Sequence, residues 1–115
     1  MSSNRFRQIA LCLPGVIEGS HRGHADFRAG KRIFATLGYP DKDWGMVKLT
    51  PEQQSGLIEA EPTMFRPVPG GWGKQGSTNV RLAKADPATL QSALTLAWTN
   101  IAPRSLLREL EEKRR

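Results

Sequence analysis

Ala25-Asp26-Phe27-Arg28-Ala29-Gly30-Lys31-Arg32-Ile33-Phe34-Ala35-Thr36-Leu37 is the stretch that decides how this chain folds. Ala25 to Arg28 reads as a strand and Ala29-Gly30-Lys31 as its turn. Arg32 to Leu37 then alternates, which puts Ile33, Ala35 and Leu37 on one face and Phe34 and Thr36 on the other. Gly19, Gly23, Gly30, Gly38 and Gly45 punctuate the region at the spacing of short strands joined by tight turns. Tyr39 to Asp43 reads as a loop. Trp44 to Leu49 is a further strand, with Val47 and Leu49 on the face opposite Met46 and Lys48. Parallel pairs need long crossovers, so short consecutive strands imply an antiparallel meander.

Helices bracket this meander. Phe6, Ile9, Ala10 and Leu13 repeat at helical spacing over residues 3–13, Ser2 or Ser3 can cap the start, and Pro14-Gly15 stops the run. Thr50-Pro51-Glu52-Gln53 carries a capping-box signature with proline at the first helical position. The helix it opens faces Leu57 and Ile58 inward and ends before Pro62. Residues 62–76 read as a long Pro/Gly loop, followed by a strand from Thr78 to Leu82. Asp86-Pro87 opens the longest helix, whose stripe of Leu90, Ala93, Leu94, Ala97, Trp98 and Ile101 should cover the sheet. Pro103 breaks it, and a helix from Arg104 to Glu111 follows. The expectation is an α+β two-layer sandwich, an antiparallel sheet of about five strands packed against helices. It forms a single domain over residues 1–111, with a basic C-terminal tail at 112–115.

At 115 residues the chain is the size of one ordinary domain. The apolar share of 38% is low, but its periodic clustering argues for a folded core rather than disorder. Cys12 is the single cysteine, so no internal disulfide and no Cys-based zinc site can form. In its apolar stretch it reads as a buried, inert thiol in a reducing compartment, and the expected location is cytoplasmic. No apolar run reaches the ~20 residues of a spanning helix, so no membrane partner is expected.

Motifs for catalysis are weak. His21 and His24 flank Arg22-Gly23, and a third ligand such as Asp26 or Glu18 would sit in poor geometry for one ion. Ser20 beside His21 is adjacency and no nucleophile elbow. Gly70-Gly71-Trp72-Gly73-Lys74 lacks phosphate-loop spacing. The expectation is therefore no enzyme, no metal and no cofactor.

Charge says more. The formal net charge is +6 and the pI about 10.1, a balance that favours polyanionic partners. Residues 1–49 hold eight Lys or Arg against four Asp or Glu, so the excess concentrates in the first helix and strands. The turn at Lys31-Arg32 and the loop around Lys74 can straddle a phosphate backbone in the manner of wings.

Several segments together resemble the MmcQ/YjbR family, described by a double-wing arrangement. They are Phe6, Ala10-Leu11-Cys12-Leu13-Pro14-Gly15-Val16, Gly23-His24-Ala25-Asp26-Phe27-Arg28 and Lys31-Arg32-Ile33-Phe34-Ala35. Val47-Lys48-Leu49-Thr50-Pro51-Glu52-Gln53, Phe65-Arg66-Pro67-Val68-Pro69 with Trp72-Gly73, and Ala97-Trp98 with Ala102-Pro103 complete the set. The resemblance runs to about residue 107. It implies an antiparallel sheet with packed helices and a DNA-binding role, with no cofactor and no catalytic residues. His24, Phe27, Phe34, Pro67, Trp72, Gly73 and Trp98 are explained by packing and turns.

Two functions follow as expectations. In the first, DNA is held through its phosphates by Arg28, Lys31, Arg32, Lys48, Arg66, Lys74 and Arg81, with Trp72 stacking on bases. In the second, the chain binds a protein partner, a reading carried by a likeness to type III secretion chaperones; it requires a large exposed apolar patch.

Overall fold

Residues 1–114 are described by a computed structural model, in which the expected meander forms, with additions at both edges. The elements in order are α1 (Ser3–Leu11), β1 (Ile17–His21), β2 (His24–Ala29), β3 (Arg32–Leu37), β4 (Trp44–Lys48), α2 (Pro51–Ala60), β5 (Phe65–Pro67), α3 (Gly71–Lys74), β6 (Ser77–Arg81), a 3₁₀ turn (Leu82–Lys84), α4 (Pro87–Ile101) and α5 (Arg104–Lys113). The strands make one sheet in the order β1-β2-β3-β4-β6-β5, every neighbouring pair antiparallel. The architecture is the expected α+β sandwich with six strands rather than five. The strands without a placed counterpart are β1 at one edge and β5 at the other; β5 lies inside the segment expected to be loop, as does the single turn of α3.

One departure reassigns a large side chain. The register steps from Phe27↔Ala35 to Arg28↔Ile33, leaving Phe34 without an opposite number. That bulge breaks the simple alternation. Phe34 is fully buried in the core instead of lying opposite Ala35, while Ile33 is only half-buried. A period-two reading cannot see a bulge, because the extra residue leaves no mark of its own.

The core lies between the sheet and α1 and α4. Phe6 of α1 sits over Gly45 of β4 and beside Phe27, ring centroids 6.0 Å apart. Gly45 is required there, since a Cβ would stand 2.7 Å from the Phe6 ring. From α4 come Leu90, Ala93, Leu94, Ala97 and Trp98, all buried. Trp98 donates its indole N–H to the Pro14 carbonyl at 3.0 Å, tying α4 to the turn after α1. Helix α1 ends at Leu11 rather than residue 13, and Cys12 is exposed rather than buried. At ~100° per residue Cys12 points nearly opposite to Ala10, which faces the core.

Caps form as read. Ser2 accepts from the Arg5 amide, Thr50 and Gln53 close a capping box, and Asp86 accepts from the Ala88 and Thr89 amides. Gln53 also meets Asn100 of α4, whose amide donates to the Lys48 carbonyl at 3.2 Å. That clasp fixes the end of β4 against two helices. Helix α5 continues past Glu111 to Lys113, so the expected tail begins as helix, and Arg115 lies outside the described residues.

Replacing Phe6 with Ala should cost about 3–5 kcal/mol, read as a lower urea midpoint with an unchanged m-value.

Candidate nucleic-acid interface

Strand directions decide which turns meet. Chain β2 runs up to the Gly30-Lys31 turn and β3 returns. Chain β5 runs the same way as β2, since β4 and β5 both pair antiparallel with β6. The β2–β3 turn and the β5–β6 connection therefore lie at the same end of the sheet. Their midpoints are three inter-strand steps apart, roughly 14 Å. Lys48, last residue of β4, stands between them. Segments 28–32, 48–50 and 66–77 supply Arg28, Lys31, Arg32, Lys48, Arg66 and Lys74 and contain no Asp or Glu. The nearest acids along the chain are Asp26, two residues before Arg28 and paired with it, and Glu52, inside α2.

Both tips are held stiffly. Gly30 and Lys31 have φ of 59° and 71°, the pair of left-handed residues that closes a two-residue hairpin. Lys31 occupies a position that favours Gly or Asn, so a cation is kept on the tip at a conformational cost. In the other tip, a Cβ on Gly73 would fall 1.7 Å from the Val68 carbonyl oxygen. The Gln54 side chain donates to the Gly73 and Ser77 carbonyls, both at 3.0 Å, and Thr78 donates to the Gly76 carbonyl at 2.8 Å. These bonds present Trp72, 66% exposed, and Lys74 from α3.

The remaining cations lie elsewhere. Arg28, Lys48, Arg66 and Arg81 share the sheet face that α1 and α4 leave uncovered, the register face of Asp26, Thr36, Met46 and Asn79. Arg66 stacks on the Trp44 ring at 3.8 Å and Arg81 at 4.7 Å, so Trp44 is only 8% exposed. Arg28 pairs with the buried Asp26 carboxylate at 2.8 Å, and the His21 Nδ1 sits 2.8 Å from the other oxygen. The expected set thus divides. Lys31, Arg32, Lys48, Trp72 and Lys74 gather at one end; Arg66 and Arg81 cap a tryptophan further down the face; Arg28 is already partnered. Lys31, Arg32, Lys48, Arg66, Lys74 and Arg81 make no ion pair among the described residues.

Sequence reading missed two things on this face. The Arg66–Trp44–Arg81 stack needs β5, which the Pro/Gly content of its segment conceals. Asn79 is 1% exposed, and neither its amide nitrogen nor its oxygen has a partner among the described residues. Its place opposite Thr78 and Val80 in the alternation marks only a wet-side residue. His21 and His24 face each other across the Arg22-Gly23 turn, His24 edge-on to Tyr39 with centroids 5.9 Å apart. Among the described residues no three His, Cys, Asp or Glu cluster as metal ligands, and no helix is long and apolar enough to cross a membrane. The exposed large apolar residues are dispersed: Leu11 and Ile17 flank the turn after α1, Tyr39 is in the β3–β4 loop and Trp72 on α3.

The hydrogen bond from Arg28 lowers the Asp26 pKa below 3.8, outweighing desolvation, and His21 adds to the effect. The unfolded chain therefore holds this proton more tightly than the native one. The stabilisation is complete above the unfolded value of 3.8 and is lost as pH falls through the lower native value. Asp26→Asn should remove that part of the acid sensitivity, seen as a smaller drop in urea midpoint between pH 5 and pH 2. Lys31→Gly should raise stability by about 1 kcal/mol by relieving the left-handed lysine, measured by thermal melting.

Comparison with known proteins agrees with this architecture. None of the curated proteins matches the chain. Among solved structures it is similar to the crystal structure of Deinococcus radiodurans protein DR2400, a DUF419-domain protein, with TM-score 0.73 and 17% identity over 96% of this chain and 88% of that one. At that identity the likeness is one of fold. The sequence pattern of the YjbR family matches residues 11–100, which span all six strands and most of α4; the chain belongs to the YjbR family.

Proposed function

We propose that the protein is a non-catalytic nucleic-acid-binding module of the cytoplasm that holds DNA by its phosphates. The observation that carries this reading is the pair of stiff cationic tips at one end of the sheet with Lys48 between them and no acid in their segments. Cations without internal partners are free to replace the counterions condensed on a polyphosphate. Tips fixed by backbone contacts and side-chain bonds lose little freedom on binding, so more of the electrostatic attraction survives as affinity. Trp72 stands beside Lys74 at hand for a base or sugar. The dispersion of exposed apolar side chains favours a polyanion over a protein partner.

Backbone contact implies steep salt dependence and little sequence preference. Titration of labelled duplex DNA at several salt concentrations should give a linear fall of log K with log salt. The triple variant Lys31→Ala, Arg32→Ala, Lys74→Ala should flatten that slope by roughly 0.9 per contact removed. An unchanged slope would show that the tips are not the contact surface.

A further inference from the structure

The carboxamide of Asn79 is buried with both its donor and its acceptor unpaired, an arrangement that costs stability and calls for an explanation. Asn79 lies opposite Met46 on one side and Arg66 on the other, with Ser77 and Arg81 two residues away along β6 and Trp44 on the diagonal. All of these share the face without helices. The Trp44 ring is covered by the guanidinium groups of Arg66 and Arg81. Both arginines are exposed and have no carboxylate partner among the described residues. They are the movable parts of this layer; Trp44 and Asn79 are its fixed floor.

We infer that this part of the open face is a site for one unpaired nucleotide of a single-stranded nucleic acid. The base stacks on Trp44 in place of Arg66, its Watson–Crick edge meets the Asn79 amide, and Arg66 and Arg81 turn to the flanking phosphates. The inference rests on the nucleic-acid reading above and names the substrate form that this face selects. An inorganic anion satisfies the arginines and leaves the Asn79 oxygen unpaired; an apolar ligand leaves both amide atoms unpaired. A base edge supplies a donor beside an acceptor, and rotating the amide accommodates either order. In a duplex that edge is already occupied, so the site discriminates strandedness rather than sequence. Lys48, on the same face and without an ion pair among the described residues, continues the positive path toward the tips.

The test compares the intact chain and Asn79→Leu on three probes of equal length: a mixed-sequence single strand, an abasic deoxyribose-phosphate strand, and a duplex. The wild type should bind the single strand about tenfold more tightly than the abasic strand, the scale of one stacked base. Asn79→Leu, which keeps the branching of the side chain without the amide, should lower that preference several-fold, the scale of the lost hydrogen bonds, and leave duplex binding unchanged. In a Trp72→Phe background, Trp44 and the buried Trp98 remain, so quenching by the single strand but not by the abasic strand reports stacking on Trp44. If Asn79→Leu retains the preference, or if wild type binds duplex but treats single and abasic strands alike, the nucleotide site is refuted while backbone binding stands. Absence of binding to any probe at low salt overturns both.

Discussion

A six-stranded sheet has two faces, and in this chain helices pack on one of them. The packed face follows ordinary rules: Phe6, Phe27, Phe34, Val47, Val80, Leu90, Leu94 and Trp98 are removed from water together, and area of that kind is the dominant favourable term in folding. The other face has to be closed by its own side chains. It does this with pairs whose ends stay wet, guanidinium groups over Trp44 and over the Asp26 carboxylate. Long cationic side chains suit the task because their stems shield apolar surface while their heads remain solvated. The basic charge of the chain is therefore partly a consequence of a one-sided fold.

That division explains what the sequence reveals. Capping signals at Thr50 and Asp86, the stripe of α4 and the alternation of β4 are local, and each survives into the structure with small shifts at the ends. What stays hidden is non-local or lies where two signals conflict. Phe34 enters the core through a bulge that depends on how β2 pairs with β3. Strand β5 is hidden by Pro67 and Pro69, residues that argue against a strand everywhere except at an edge, which is where it lies. Cys12 sits in an apolar run, but two residues of helix rotation from Ala10 put it outside.

For the interface, residue type was legible and grouping was not. Lysines and arginines in turns are visible in any sequence, whereas knowing that the turns at Lys31 and Lys74 share an end requires the relative directions of four strands. The ion pair of Arg28 with Asp26 and the isolation of Asn79 are likewise properties of cross-strand neighbours, which have no fixed separation along the chain. An interface assembled from register is for that reason sensitive to slippage, and the Asn100–Lys48–Gln53 clasp resists it by pinning the end of the central strand.

The two rims of the sheet are unequal. Strand β5 is three residues long and ends in Pro67, which has no amide hydrogen to offer a newcomer. Strand β1 is five residues long, carries Gly19 at its middle and begins with the exposed Ile17. Unpaired backbone on an outer strand is a template for another chain. Growth of this sheet by strand addition is thus blocked on one flank and open on the other, so two copies joining at β1 would form a finite, twelve-stranded pair that presents a β5 rim at each end and cannot propagate into a fibre.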